Sequence, residues 1–218
     1  MGYSVAIDGP AGAGKSTIAK LVAEEKGFIY VDTGALYRAL GVHFMEQGIH
    51  PNEQDKIIAA CVDVHVDIRH VAGVQQVFLN GRNVTEQLRD EAVGKMASAT
   101  ASISQVRQTL LAVQRNLAKE KDVVMDGRDI GTEILPYANV KIFLTASVTV
   151  RAARRYEELK KQGITCDIKE IEEDIQARDL QDTKRAVAPL RQAEDAILID
   201  SSKMTIPEVV AEIVRYIK

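Results

Sequence analysis

The chain has 218 residues, and its 46% apolar and 27% charged residues are the composition of an ordinary globular protein. A net charge of −3 excludes the overall basic field on which nucleic-acid binding relies, so we expect no nucleic-acid partner and only a local anion site. The two cysteines lack metal-ligand spacing, and there is no leader-like start and no run of about 18 apolar residues. We therefore expect a cytoplasmic protein without membrane attachment. We also expect it to act as a monomer.

Five short runs of apolar or β-branched residues predict buried strands. They fall at 3–7, 28–31, 123–125, 140–144 and 196–199. Helical stretches lie between them, as at 17–25, where Ile18, Leu21 and Val22 mark one face. Strands that alternate with crossover helices predict an α/β fold with a five-stranded parallel sheet covered by helices on both faces.

The first strand leads directly into a phosphate-binding loop. Its motif is G-x-x-x-x-G-K-[ST], and the residues are Gly9, Pro10, Ala11, Gly12, Ala13, Gly14, Lys15, Ser16 and the following Thr17. Main-chain N–H groups of such a loop converge on phosphate oxygens, the lysine reaches the β and γ oxygens, and the serine hydroxyl joins the Mg²⁺ shell. We expect Lys15 to be exposed in a cleft. A dinucleotide fingerprint is excluded because no third glycine completes G-x-G-x-x-G.

One segment departs from the α/β order. Residues 62–69 alternate with period two, and residues 75–79 precede Asn80-Gly81, a dipeptide typical of a type I′ hairpin turn. We expect residues 60–92 to form a small, half-exposed antiparallel β insert. The rest of the single domain 1–218 is then a core of residues 1–59, 93–150 and 169–218, together with segment 151–168.

Arginines follow several of the predicted elements. Arg38 and Arg128 lie just after strands, and Arg178 and Arg185 lie in a polar stretch. Guanidinium groups bind phosphates bidentately and keep their charge, so the chain is predicted to bring two phosphorylated substrates together. No asparagine is followed by lysine, as the base-reading motif of a guanine-nucleotide switch requires, and no LSGGQ-like stretch of a transporter ATPase is present.

Four segments taken together resemble bacterial-type cytidylate kinase. They are DGPAGAGKST at 8–17, DTGALYR at 32–38, MDGRDIGT at 125–132 and RAVAPL at 185–190, and the similarity runs nearly from end to end. The resemblance implies a P-loop nucleoside monophosphate kinase that passes a phosphoryl group from ATP, with Mg²⁺, to CMP and dCMP. It also implies that the β insert binds the acceptor and that segment 151–168 is a helical lid over the donor phosphates.

The resemblance further implies residue roles. The acceptor phosphate is held by Arg38, Arg128 and Arg185, with Thr33 nearby. The cytosine edge is read by Ser98, Arg107 and Asp129. The ribose hydroxyls are contacted by Asp182 and Arg178. The donor phosphates are contacted by the lid residues Arg151, Arg154 and Arg155. The expected catalytic residues are Lys15, Asp126, Arg128 and Arg185.

Simpler interpretations of four features remain open. Asp126, at the end of a strand, is either an outer-shell magnesium or phosphate-site carboxylate or a loop cap. Arg128 with Asp129 is alternatively a surface ion pair. The lid arginines are alternatively a solvated helix face, and Ser98 a small residue that permits close helix packing.

Two functional alternatives also remain open. In the first, the chemistry is the same but the acceptor is UMP or a small metabolite such as shikimate or gluconate. In the second, the chain is a nucleotide-gated regulatory protein that hydrolyses NTP slowly. Transfer to a monophosphate needs no catalytic base, because the second pKa of about 6 leaves the acceptor phosphate mostly ionised at pH 7.

Overall fold

The computed structural model describes residues 2–71 and 73–218. Within these ranges the chain forms eight strands and eight α-helices. The strands are β1 (Ser4–Asp8), β2 (Ile29–Asp32), β3 (Val66–Val71), β4 (Val74–Leu79), β5 (Arg82–Asn83), β6 (Val123–Gly127), β7 (Val140–Thr145) and β8 (Ile197–Asp200). The helices are α1 (Lys15–Lys26), α2 (Thr33–Glu46), α3 (Gln54–Ala60), α4 (Glu91–Thr100), α5 (Ser104–Glu120), α6 (Val148–Lys161), α7 (Ile168–Lys184) and α8 (Ile206–Val214).

The main sheet is parallel and has the strand order β2-β6-β1-β7-β8, which confirms the predicted five-stranded α/β architecture. Its central strand β1 is buried along its whole length. Val5 and Ile7 pack with α1 and α8 on one face, whereas Ala6 packs with α2 and α5 on the other. A strand buried on both faces has no solvent side, which explains why the sequence showed no alternation in these runs.

Helix α1 buries a different set of residues from the one that its sequence predicted. Ile18 and Val22 pack into the core as expected, but Leu21 is 37% exposed. Ala19 and Ala23 complete the buried face instead. Their small side chains let the helix lie close to the sheet.

The predicted β insert is confirmed as an antiparallel sheet of β3, β4 and β5. Asn80 and Gly81 turn the chain with φ values of 48° and 82°, the two positive angles of a type I′ turn. The inner faces of β3 and β4 bury Ile68 and Val77 in the same hydrophobic cluster as Phe44 of α2. The insert therefore shares the core of the protein on its inner face.

The predicted helical segment 151–168 corresponds mainly to α6, and a loop that contains Gly163, at φ 76°, connects α6 to α7. Within the described parts of the chain, no helix is both long enough and apolar enough to cross a membrane.

Candidate active site

The loop between β1 and α1 has the backbone of an anion-binding site. Gly9, Gly12 and Gly14 take positive φ values of 151°, 73° and 85°. At Gly9 a Cβ atom would lie 1.9 Å from the main-chain oxygen of Leu144, so no larger residue fits there. Gly14 is the N-cap of α1 and offers no side-chain hydrogen bond, which leaves the first N–H groups of the helix free for an anion.

Lys15 is buried, which contradicts the expectation of an exposed cleft residue. Its side chain is folded over the loop, and Nζ donates a hydrogen bond to the Pro10 main-chain oxygen at 2.8 Å. Burial, and then the charge of Arg128, lower the pKa of Lys15 to about 7, although Asp126 and Asp8 act in the opposite direction. The ammonium group is thus poorly solvated, and an anion in the loop would stabilise its charge.

Asp126 is held at the carboxyl end of β6 by three side chains from other elements. Its carboxylate accepts hydrogen bonds from Ser16 Oγ at 3.0 Å and from the Tyr30 hydroxyl at 2.8 Å. Thr33 Oγ1 donates to the Asp126 main-chain oxygen at 2.7 Å. Burial, and then the nearby charge of Asp32, raise the pKa of Asp126 to about 6. A loop cap would accept hydrogen bonds from the N–H groups of its own loop. The Asp126 carboxylate instead accepts from the side chains of Ser16 and Tyr30.

A second group of charges surrounds Asp129, two residues beyond β6. Its carboxylate accepts from the guanidinium groups of Arg107 and Arg185 and is only 4% exposed. Burial raises the pKa of Asp129, and the two arginines oppose that rise. Arg128, in contrast, points away from Asp129, and its Nε donates to Asp182 Oδ2 at 2.8 Å. The surface pair of Arg128 with Asp129 is therefore absent from the structure.

A cleft of about 340 Å³ lies between α4 and α7. Asp182, the partner of Arg128, is part of its wall. Ser98, Asp182 and Arg185 line the cleft, together with Ser102 and Gln181. Gln181 Nε2 donates to the Ser98 main-chain oxygen at 3.2 Å, so that α7 is fixed against the end of α4. Ser98 thus lines the cleft and also takes part in the contact between α4 and α7.

Three of the predicted arginines lie apart from these groups. The Arg38 guanidinium is 41% exposed and lies 3.7 Å from the Asp32 carboxylate. Arg178 pairs along α7 with Asp174, at 3.1 Å, on an exposed face. Arg155 pairs with Glu158 in the same way, as the solvated-face interpretation expects.

Arg151 and Arg154 face inward from α6. Arg151 is only 4% exposed; Nη1 donates to the Ala11 main-chain oxygen in the phosphate-binding loop at 2.7 Å, and Nη2 donates to Asp179 Oδ2 at 2.6 Å. It therefore ties the loop to α7. Arg154 lies further from the loop and donates to the Ser201 main-chain oxygen at 2.8 Å.

Sequence reasoning missed two residues of the site. Asp8 accepts hydrogen bonds from the N–H groups of Ile130 and Gly131, at 2.8 and 2.7 Å, and so fixes the turn after Asp129. The sequence places Asp8 at the carboxyl end of a buried strand. This position could have indicated a site residue, because the carboxyl ends of parallel strands meet at one edge of the sheet. Tyr30 gave no such signal, since it lies within an apolar run.

The residues near Ser16 and Asp126 fit a magnesium ion. A serine hydroxyl and a carboxylate are oxygen ligands of the kind that Mg²⁺ takes, and it commonly uses only one or two such groups from the protein. The two groups already share one hydrogen bond, so a single ion between them would need little rearrangement of the chain.

Comparison with known proteins adds to this geometry. Residues 5–218 match the family model described as "Cytidylate kinase". Curated proteins of that name from Caldicellulosiruptor saccharolyticus and Caldicellulosiruptor bescii are 50% and 48% identical over 210 residues, which are 96% of this chain and 93% of each relative. The crystal structure of an uncharacterized protein from Eubacterium ventriosum has the same fold, with a TM-score of 0.55, 15% identity and coverage of 99% of this chain and 98% of that one. This chain belongs to the cytidylate kinase family.

Proposed function

We propose that this chain transfers the γ-phosphoryl group of ATP to CMP, which gives CDP and ADP, and that it also accepts dCMP. The observation that carries this proposal is the placement of two cationic groups at one edge of the sheet. The phosphate-binding loop follows β1, and Arg128 follows the neighbouring β6, whose Gly127 pairs in register with Asp8. Two phosphate-binding groups on adjacent strands can bring a donor and an acceptor together for in-line transfer.

The acceptor site in this proposal is built from the arginines and carboxylates beyond β6. The phosphate of CMP is bound by Arg38, Arg128 and Arg185, with Thr33 nearby. The cytosine edge, which carries one amino donor and two acceptors, is read by Ser98, Arg107 and Asp129. The ribose hydroxyls are contacted by Asp182 and Arg178. The burial of Asp129 between two arginines supports this assignment, because a buried carboxylate in fixed geometry can select one base.

The donor site is the loop at residues 9–17. Its free N–H groups and Lys15 bind the triphosphate, and the contact of Arg151 with Ala11 supports a lid that closes on this loop. Arg154 and Arg155 are the further candidates for contact with ATP. Ser16, with Asp126, holds Mg²⁺, which when bound neutralises charge on the β and γ phosphates.

The chemistry requires alignment and charge neutralisation more than proton transfer. The acceptor phosphate is already ionised near neutral pH, so no side chain has to act as its base. Lys15, Arg128 and Arg185 stabilise the negative charge that is redistributed in the transition state, with Asp126 holding the hydroxyl of Ser16 in place. Segment 151–168 excludes water, the competing acceptor, when it closes.

We retain two further proposals from the sequence. The single domain 1–218 comprises a core of 1–59, 93–150 and 169–218, an acceptor-binding insert at 60–92 and a lid at 151–168. The protein acts as a monomer. Sedimentation of the purified chain would test the second proposal directly.

The function is tested by a coupled assay that measures ADP release with Mg-ATP and a panel of acceptors. CMP and dCMP are expected to support turnover well above UMP, AMP, shikimate and gluconate. ADP release at equal rates with and without any acceptor would instead indicate slow NTP hydrolysis by a regulatory protein. A preference for an acceptor without cytosine would contradict the proposed specificity.

A further inference from the structure

Strand β2 is the outermost strand of the main sheet on one side, so its outer edge has no strand partner in that sheet. Side chains of the β insert occupy this edge instead. His70 Nε2 lies 3.0 Å from the Tyr30 main-chain oxygen, to which it donates. Gln75 contacts the main chain of Asp32, the last residue of β2. The insert thus covers an edge that would otherwise present unpaired N–H and C=O groups.

The contact of Gln75 with Asp32 has the pattern of a strand pair. Gln75 Oε1 accepts from the Asp32 N–H at 2.9 Å, and Gln75 Nε2 donates to the Asp32 C=O at 3.2 Å. One carboxamide therefore satisfies both main-chain groups of one residue, as a neighbouring strand would. Only a side chain with an acceptor and a donor at this spacing can make both bonds.

Asp32 is the junction between β2 and α2, the helix that begins with Thr33. Its carboxylate caps α2 by accepting from the Ala35 N–H at 3.1 Å, and it lies 3.7 Å from the guanidinium of Arg38. In the sheet, Asp32 is paired in register with Asp126. A shift in the main chain at Asp32 would therefore move the first two turns of α2 relative to the rest of the site.

We propose that Gln75 is a positioning residue for the acceptor phosphate: its paired hydrogen bonds fix Asp32 and so the placement of Thr33 and Arg38. This inference rests on the proposed function, in which Arg38 binds that phosphate. Gln75 lies in the β insert, so it also gives the insert a defined role in acceptor binding. The phosphate-binding loop follows a different strand, β1, and the hydrogen bonds of the Gln75 side chain go to Asp32 and not to this loop.

Steady-state kinetics of Gln75→Ala with Mg-ATP and CMP would test the proposal. We expect the KM for CMP to rise about tenfold, as two half-buried hydrogen bonds are lost, and the KM for ATP to change by less than about twofold. Gln76→Ala is the matched control, because the side chain of this half-buried neighbour accepts a hydrogen bond from Asn83 within the insert. Its KM for CMP is expected to remain within about twofold of wild type.

Gln75→Glu separates hydrogen bonding from packing. Glutamate has the same size but lacks the Nε2 donor and turns a negative charge toward the Asp32 C=O. The KM for CMP should therefore rise at least as much as in Gln75→Ala. Wild-type kinetics in Gln75→Glu, or an equal KM for CMP in Gln75→Ala and Gln76→Ala, would overturn the proposal. A wild-type protein that does not phosphorylate CMP would instead refute the proposed function and this inference with it.

Discussion

The Ser16 hydroxyl donates a hydrogen bond to Asp126 Oδ2 at 3.0 Å, although the two residues lie 110 positions apart in the chain. The parallel pairing of β1 with β6 brings them together, because α1 starts just beyond one strand and Asp126 lies near the end of the other. Tyr30, from the strand on the other side of β6, holds the second oxygen of the same carboxylate. Three separate elements thus fix the two oxygen atoms that we propose as magnesium ligands.

Ser16→Ala should weaken the use of magnesium. Because the variant loses one of the two proposed oxygen ligands, the Mg²⁺ concentration that gives half-maximal turnover is expected to rise about tenfold or more. Titration of the rate with MgCl₂ at fixed ATP would measure this. Ser16→Thr keeps the hydroxyl and is the control. Identical titration curves for Ser16→Ala and wild type would exclude the hydroxyl as a ligand.

Lys15→Met should remove activity without unfolding the protein. Turnover is expected to fall by about 10²- to 10³-fold, because the ammonium group stabilises charge in the transition state. The free energy of unfolding should not decrease, since burial already disfavours the ammonium group and lowers its pKa to about 7. Urea denaturation beside the ADP-release assay would measure both. Lys20→Met, on the exposed side of α1, is the control, and a large loss of stability in Lys15→Met alone would contradict this account.

Asp182→Ala should change the preference between the two sugars. If this carboxylate contacts the 2′-hydroxyl, kcat/KM for CMP is expected to fall about tenfold more than kcat/KM for dCMP. Both acceptors also lose efficiency, because Arg128 loses its partner at 2.8 Å. Glu173→Ala, at an exposed position of α7, serves as the comparison. An equal loss for CMP and dCMP would show that Asp182 does not read the ribose.

Asp129→Ala should be strongly destabilising. The substitution leaves the side chains of Arg107 and Arg185, which are 10% and 7% exposed, without their shared partner. An uncompensated buried charge of this kind costs about 3 kcal/mol or more of unfolding free energy. Urea denaturation would measure this loss of unfolding free energy. Glu158→Ala, which breaks an exposed pair with Arg155, is the control and is expected to match wild type. Equal stability of the two variants would mean that the arginines find other partners.

Titration of Asp8 should make the free energy of unfolding depend on pH in the acidic range. Burial raises its pKa from 3.8 to about 6, so the native state holds this proton more tightly than the unfolded chain does. The resulting stabilisation is fully present below pH 3.8 and is lost as pH rises through 6. This difference corresponds to about 3 kcal/mol. The stability of wild type minus that of Asp8→Asn is therefore expected to fall by about that amount between pH 3 and pH 7. Parallel pH profiles would show that Asp8 does not titrate in this range.

Much of the fold was readable from short stretches of sequence. The five strands of the main sheet were predicted from their apolar runs, and each lies within two residues of its predicted bounds. The insert turn was equally clear, because Asn80-Gly81 favours its two positive φ angles through local sterics alone. The phosphate-binding loop was identified in the same way, since its chemistry comes from consecutive residues between one strand and one helix.

The pairings within the site were not readable in this way. Arg128 and Asp129 are adjacent in sequence and invited an ion pair, yet Arg128 bonds to Asp182 and Asp129 to Arg107 and Arg185. Both residues lie beyond the end of β6: Arg128 meets Asp182 on α7, whereas Asp129 meets Arg107 on α5 and Arg185 just after α7. The direction of each helix, which decides these partners, is set by the packing of the core.

The sequence by itself therefore determined the architecture, the phosphate-binding loop and the family, because each depends on local conformational preferences or on an ordered set of motifs. Only the tertiary structure decided that Lys15 is buried, that Tyr30 holds Asp126 and that Gln75 satisfies the main chain of Asp32. The last two of these features join residues far apart in the chain. Their energies arise only once the parallel sheet has closed and the insert has packed against α2, and no local pattern of residues encodes that geometry.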